Sequence, residues 1–375
     1  MTAQQILDLF LIFLLLLPKT SIAMALLEAE WTNLPQSQRI FPRRSGHTAF
    51  SASAKHPTFV FGGYIEQDSD KQGDPPLRQV INDLWKYDAA TDHHGWIKQE
   101  PSGDIPGPRL VAASAVVNSK AYLIGGWDPE TEGTGGSILE SVSCLDLDSL
   151  QWKELKNFPD GPTSRHIALV LPGAKPKILI HNHRCTGHVW IFDPETESYT
   201  QQPTTGQSPG SLGLHAATML DDTHVLLFGG ATKDGTMSNQ SHVLNTETWE
   251  WKQVVLGKDA DCPSPRAGAC LVAHNGKYGI LFGGAETTDA GLNPKGDVWA
   301  LQVVDDLDQE CTGRWSMLLN EKQGEAFPEP RNAATLSPFD EGQNMDNSKF
   351  LLAGGWAPFR RTWDDVFILS IRHSS

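Results

Sequence analysis

Beyond the first 25 positions, apolar residues come in short runs broken by Gly, Pro, Ser, Asn and Asp, with no sustained helical spacing. Short apolar runs bounded by turn residues predict strands rather than helices. The runs share an ending. Phe59-Val60-Phe61-Gly62-Gly63, Tyr122-Leu123-Ile124-Gly125-Gly126, Leu226-Leu227-Phe228-Gly229-Gly230, Ile280-Leu281-Phe282-Gly283-Gly284 and Leu351-Leu352-Ala353-Gly354-Gly355 each close on a glycine pair. A sixth copy, Ile178-Leu179-Ile180-His181-Asn182, keeps the strand and loses the glycines. Copies follow one another at 48 to 71 residues, so one unit is repeated with insertions of varying length.

Each copy keeps similar neighbours. A proline and an arginine lie upstream, in Pro42-Arg43-Arg44-Ser45-Gly46-His47, Pro108-Arg109, Pro162-Thr163-Ser164-Arg165, Pro265-Arg266 and Pro330-Arg331. An acidic and aromatic strand lies downstream, as in Asp83-Leu84-Trp85, Asp297-Val298-Trp299 and Trp363-Asp364-Asp365-Val366-Phe367. Trp96, Trp152, Tyr199, Trp251 and Trp315 then close successive units. This pattern resembles the kelch repeat over about residues 31–371, and the resemblance implies a β-propeller of four-stranded blades. Glycine suits a strand end that must take positive φ and let another backbone approach. A large aromatic on an outer strand fills the wedge between blades, worth roughly 1.5–3 kcal/mol per buried side chain.

The last copy runs out at Ile368-Leu369-Ser370-Ile371-Arg372, after a third strand and with no closing tryptophan. Glu30-Trp31-Thr32 stands unclaimed at the other end. A strand around Trp31 is therefore expected to complete the last blade and cover its open edge. The reading is an all-β, six-bladed kelch propeller closed by an N-terminal strand, one domain over residues 26–375.

Composition narrows the chemistry. Hydrophobic residues are 39% and 34 glycines are added to them, enough for a buried core. A net charge of −15 with no Lys/Arg run argues against a nucleic-acid partner. Cys144, Cys185, Cys262, Cys270 and Cys311 form no CxxC pair, which excludes a zinc ribbon, and no disulfide is expected. Cys144 and Cys270 fall within strands and read as small core residues.

Residues 1–25 stand apart. Leu9–Leu17 is an unbroken apolar run followed by Pro18 and a small-residue stretch around Ala23 and Ala25. Nine residues suit a signal-peptide core rather than a membrane span, although Asp8 precedes the run and no Lys or Arg does. This leader implies secretion or an extracellular protein with no membrane insertion after its removal. A start at Met24 implies a cytoplasmic one. The sequon Asn239-Gln240-Ser241 is compatible with secretion.

In an antiparallel blade the repeat arginine and the glycine pair share one end, so both should face one mouth of the central channel. Arg44, Arg109, Arg165, Arg266 and Arg331 are expected to ring it, with Leu212 at the matching place in the fourth copy. His215 aligns with His47, and the loops after the glycine pairs carry Tyr64, Trp127 and Trp356. The resemblance implies that such a mouth holds partner peptides, and guanidiniums with aromatics suit an acidic peptide or a carboxylate. A competing reading makes each arginine a structural part of the repeat, paired with acids between blades. Acids near the glycine pairs include Glu66, Asp68, Asp70, Asp74, Asp128, Glu130 and Glu132. Trp127 and Trp356 discriminate better, because Ala231 and Ala285 stand at their places in other copies.

The third copy alternates His181, His183 and Cys185, which on a strand would put two imidazoles and a thiol on one side, a weak metal candidate. No cofactor and no catalytic residue is assigned. The expected function is a monomeric protein-binding scaffold that presents one loop-lined face to a protein or acidic peptide. The alternative is a carbohydrate-active propeller enzyme of the sialic-acid mutarotase kind, using an arginine for the sugar carboxylate. A copper-radical oxidase fits poorly, since Tyr64 alone of the five tyrosines is expected at the mouth. The Glu-x3-Asp-x3-His iron pattern of plant kelch proteins does not occur in the sequence.

Overall fold

The computed structural model describes residues 27–34, 41–51, 57–67, 77–88, 95–130, 136–305, 311–321, 326–344 and 347–374. The leader over residues 1–25, and Asp68, Asp70, Asp74 and Glu132, lie outside the described residues. Strands build every blade, and among the described residues no helix is long and apolar enough to cross a membrane.

Six antiparallel meanders follow one another along the chain. The first blade contains Thr48–Phe50, Thr58–Gln67, Leu77–Asp88 and Gly95–Gln99. The second contains Ala113–Val117, Lys120–Ile124, Val142–Asp146 and Gln151–Leu155, and the third Ile167–Leu171, Lys177–His181, His188–Asp193 and Ser198–Pro203. The fourth is built from Ala216–Met219, His224–Phe228, Ser241–Asn245 and Glu250–Gln253. Cys270–His274, Tyr278–Phe282, Val298–Asp305 and Cys311–Leu319 form the fifth. First strands of successive blades touch around the whole circle, and the sixth returns to the first.

The sixth blade joins the two ends of the sequence. Its inner strands are Thr335–Asn344, Asn347–Ala353 and Val366–His373, and its outermost strand is Leu27–Asn33. Trp31 pairs with Leu369, the place that Trp152 takes opposite Leu145 and Trp251 opposite Leu244. The N-terminal strand therefore supplies the tryptophan that the last repeat lacks. Trp31 is buried and meets Phe282 of the fifth blade edge-on at 4.9 Å.

One apolar cluster fills each seam between blades. Phe50, Phe61, Leu123, Leu145 and Trp152 pack the first against the second, and Trp31, Ile280, Phe282, Leu352 and Leu369 pack the fifth against the sixth. Cys144 belongs to the cluster between the second and third blades, and Cys270 is likewise buried.

The glycine pairs explain how seams close at the mouth. Gly63 has φ 104° and donates its N–H to the carbonyl of Arg109 in the next blade, at 2.8 Å. A Cβ on Gly62 would come within 2.8 Å of that same oxygen, so the seam needs glycine for both shape and space. Gly126, Gly230, Gly284 and Gly355 donate in the same way to Thr163, Arg266, Arg331 and Arg44.

The third blade departs from the expected register. Ile167 pairs with His181 as Thr48 pairs with Phe61 and Ala113 with Ile124. His181 thus stands where other blades carry the last apolar residue, and Asn182 and His183 take the places of the glycines.

Candidate functional site: an aromatic bowl over the channel

The repeat arginines do not ring the mouth. Arg44, Arg266 and Arg331 are at most 1% exposed and Arg109 is 5% exposed, because their guanidiniums turn into their own blades. Arg44 donates to Asp83 at 2.8 and 3.1 Å, to the Gly62 carbonyl at 3.0 Å and to the Pro42 carbonyl at 3.2 Å. Arg266 repeats the arrangement with Asp297, Gly283 and Ser264, and Arg331 repeats it with Asp365, Gly354 and Glu329. Each arginine ties the approach to the first strand, the first glycine and an acid in or just before the third strand within one blade. The pairing runs within blades, not between them.

The acid has a second duty. Trp85 donates to Asp83 at 2.6 Å and Trp299 to Asp297 at 2.7 Å, which accounts for the Asp-x-Trp signature. Arg109 faces Ser141 in place of an acid, and burial pushes its pKa down to about 10. In the third blade the task falls to Arg184, which donates to Asp160 at 2.7 Å and to the Pro162 carbonyl at 3.1 Å.

Arg165 belongs to a different class of position. The carbonyl that receives the N–H of Gly126 is that of Thr163, so Thr163 is the counterpart of Arg44. Arg165 lies two residues further on, level with Gly46, Val111, Leu214, Gly268 and Ala333. These six residues share left-handed backbone, with φ from 50° to 67°. Each donates its N–H to the carbonyl of the preceding blade's member, at 2.7–2.9 Å, and the sixth link returns to the start. A closed ring of six hydrogen bonds therefore encircles the channel. It holds four non-glycine residues in a conformation that costs each about 1 kcal/mol or more.

Above the ring lies a cavity of about 400 Å³. Ring residues form its floor, and Tyr64, Leu110, Trp127, Trp356 and Phe359 give it apolar walls. The structure thus brings Arg165, Tyr64, Trp127 and Trp356 together around one cavity. His47 and His215 are buried beneath the ring rather than at the mouth.

Arg165 is exposed, and its guanidinium lies over the Trp127 ring at 5.4 Å. No carboxylate among the described residues pairs with it. Trp127 stands at the base of a small hairpin, where Ile138 pairs with it across the strands. Trp356 sits on a second hairpin, Trp356–Ala357 with Arg361–Thr362, which leaves the sixth blade and pairs with Gln67 of the first. Glu66, 3% exposed, accepts from the Trp356 indole at 2.6 Å and from Arg78 at 3.0 Å. Trp356 is thereby locked as a wall. Burial raises the Tyr64 phenol, with Glu66 adding to the effect, so it stays protonated at neutral pH.

Sequence reasoning missed Phe359, Arg78 and His166 and named Glu66 only as a nearby acid. Phe359 is 70% exposed at the hairpin tip, 5.3 Å from Trp356. His166 was legible as the residue three places after the repeat position, like His47 and His215. The proposed histidine and cysteine group does not form. His181 and Cys185 are buried, His183 is exposed, and the chain turns after His181 instead of continuing as a strand. Among the described residues no group of three or more His, Cys, Asp or Glu side chains is placed to hold a metal.

Comparison with known proteins agrees with the propeller fold. The chain is 28% identical over 282 residues to Kelch domain-containing protein 2 of Bos taurus, covering 68% of this chain and 66% of that protein. It is 30% identical to acyl-CoA-binding domain-containing protein 6 of Oryza sativa subsp. japonica, over 52% of this chain and 30% of that one. It is 25% identical to host cell factor 2 of Homo sapiens, over 65% and 34%. The chain thus spans less than two thirds of the length of two of these relatives and about two thirds of the first. The solved structure of YjhT superposes with a TM-score of 0.61 over 87% of this chain and 95% of that one; at 16% identity this shows the fold alone. The family model described as the KLHDC2/KLHL20/DRC7 Kelch-repeats domain matches residues 18–226 and 179–375, and the chain belongs to that kelch-repeat family.

Proposed function

We propose that the protein is a binding scaffold whose bowl captures a carboxylate carried by a peptide segment of a protein partner. One observation carries the reading. Arg165 presents a guanidinium with no acid paired to it among the described residues, on the floor of a bowl walled mainly by aromatic and aliphatic carbon. Such a group holds a carboxylate through two parallel hydrogen bonds, and the flanking indoles pack against its apolar neighbours. A ring of five arginines would have suited a polyacid. One guanidinium left unpaired among the described bowl residues, beside an Arg78 already paired with Glu66, suits a single carboxylate with apolar flanks.

A small sugar acid would meet the same Arg165. Turnover, however, needs a proton-transferring pair, and Glu66 is the carboxylate among the described bowl residues, with both oxygens taken by Trp356 and Arg78. The geometry favours capture over catalysis.

The test is selection of peptides from a display library, followed by titration through tryptophan fluorescence. Selected peptides should share one carboxylate, and neutralising it or making Arg165→Ala should weaken binding about 10- to 100-fold, or about 1.5–3 kcal/mol. Amidating the chain end and changing acidic side chains to amides separate the two sources of the carboxylate. Selected peptides without a carboxylate, or anomer exchange of sialic acid catalysed above background in an NMR assay, would overturn the reading.

A further inference from the structure

Three blades carry a short fifth strand. Ser102–Gly103, Thr205–Gly206 and Val255–Leu256 leave the preceding blade and lie parallel on the outer strands of the second, fourth and fifth. The first two are built alike, in Pro101-Ser102-Gly103-Asp104-Ile105-Pro106-Gly107 and Thr204-Thr205-Gly206-Gln207-Ser208-Pro209-Gly210. Ser102 donates its N–H to the carbonyl of Leu150 at 3.0 Å, and Asp104 to that of Trp152 at 3.1 Å. Thr205 and Gln207 donate likewise to Trp249 and Trp251, at 3.0 and 2.7 Å. The residue after the glycine then accepts. Asp104 Oδ2 takes the N–H of Glu154 at 3.2 Å, and Gln207 Oε1 takes that of Gln253 at 3.1 Å. Both glycines have positive φ, 80° and 78°, and a Cβ on either would collide with the tryptophan carbonyl.

The third blade keeps the receiving edge and lacks the strand. Its sheet ends at Ser198–Pro203. The incoming linker, described throughout residues 156–166, takes another path. Phe158 donates its N–H to the Glu140 carbonyl and sets its ring against Trp190 and Tyr199. Tyr199 pairs with Phe192 as Trp152 pairs with Leu145 and Trp251 with Leu244. Glu197 has φ 50°, matching Leu150 at 56° and Trp249 at 58°. This register turns the carbonyls of Glu197 and Tyr199 and the N–H of Gln201 outward, the three groups that the fifth strand meets on the second and fourth blades. Among the described residues no group of the chain meets them, and Ser198, Thr200 and Gln201 are exposed. Pro203 has no N–H to offer two places further on, so the open edge is short.

Unpaired main-chain groups on a sheet edge are a template for an added strand. The two built-in linkers specify which strand fits. We infer that the outer edge of the third blade docks an extended segment of a protein partner that reads Ser or Thr, then Gly, then Asp or Gln. The segment adds in parallel as the missing fifth strand. Its Ser or Thr N–H bonds the Glu197 carbonyl, the N–H after the glycine bonds the Tyr199 carbonyl, and that residue's side chain accepts from Gln201. The edge lies on the outermost strand, away from the channel, and the inference does not depend on the bowl.

The probe is a peptide copying residues 204–210, titrated to millimolar concentration into the intact, isotope-labelled chain and followed by amide NMR. Amides of residues 197–201 should shift and saturate, and the Gln201 amide should exchange with solvent about 10-fold more slowly in the complex. The same peptide with Gly206→Ala should bind at least about 10-fold more weakly, a comparison that leaves the protein untouched. Gln201→Pro in the protein removes one outward N–H and should weaken the unchanged peptide by a similar factor. No shift, equal binding of the alanine peptide, or shifts confined to the bowl or to other blades would overturn the inference. Shifts of residues 197–201 that follow protein concentration without peptide, with dimers in sedimentation, would assign the edge to a second copy and overturn it as well.

Discussion

Arg266 and Arg165 each follow a proline near the start of a blade, yet they meet opposite surroundings. Arg266 is 1% exposed, and Asp297, Ser264 and Gly283 take up its donors. Arg165 reaches the open bowl with only an indole face beside its guanidinium among the described residues. Two residues of offset separate them: one occupies the position that ties a blade together, the other the position that faces the channel. A residue repeated in most blades belongs to the scaffold. The cation that breaks that register stands open in the bowl.

The largest effect should come from stranding a scaffold guanidinium. Asp297→Ala leaves Arg266 buried without its acid and removes the acceptor of Trp299, so denaturant unfolding should show a loss of about 3–5 kcal/mol. The fourth blade carries Leu212 and Gln240 at the matching places and still forms its sheet. The double substitution Arg266→Leu with Asp297→Gln should therefore recover most of that loss. No recovery would mean that the ion pair itself, rather than the avoidance of an orphaned charge, holds the blade.

Acid probes the same interior next. Burial drives the pKa values of His47 and His166 down to about 3 and those of His215 and His242 to about 4. The unfolded chain binds protons near pH 6.5 while the folded one refuses them, so this contribution is complete above that pH and drains away as pH falls toward 3–4. Each such histidine adds about 1.4 kcal/mol per pH unit to the slope across its window. Melting temperature should fall steadily from pH 6.5 to 4. His215→Gln should flatten the curve, and an unchanged slope would show that His215 does not titrate this way.

The smallest effect on stability should follow Arg165→Ala, within about 0.5 kcal/mol, since its side chain is exposed and makes no ion pair among the described residues. Binding of the selected peptides should nevertheless weaken about 10- to 100-fold. A large fall in melting temperature would place Arg165 with Arg266 and erase the contrast.

The fold was legible because its demands fall on residue types that little else can replace. Glycine pairs mark where backbones of adjacent blades touch, and Trp31 was readable as the missing fourth strand because the last repeat ended without a tryptophan. The site was legible only in part. Trp127 and Trp356 stood out where other copies carry alanine. Arg165 was placed in the wrong class because Pro162-Thr163-Ser164-Arg165 imitates Pro-Arg with two residues inserted, and only the carbonyl of Thr163 reveals the true alignment. The same one-dimensional ambiguity shifted His181 by one place. Glu66 and Phe359 acquire meaning from the hairpin that carries Trp356 across to the first blade, a contact between residues almost 300 positions apart that no local pattern encodes.

The closed circuit of peptide groups around the axis separates grammar from vocabulary. Every N–H and C=O in that circuit is already engaged, so side chains on it can differ within the limits that left-handed backbone sets. Val111, Arg165, Leu214 and Ala333 already hang four different side chains from it, whereas a Cβ at Gly46 would come within 3.2 Å of Leu110. A relative with an acid, an amide or a second cation at any of the six would greet a different guest through an identical doorway.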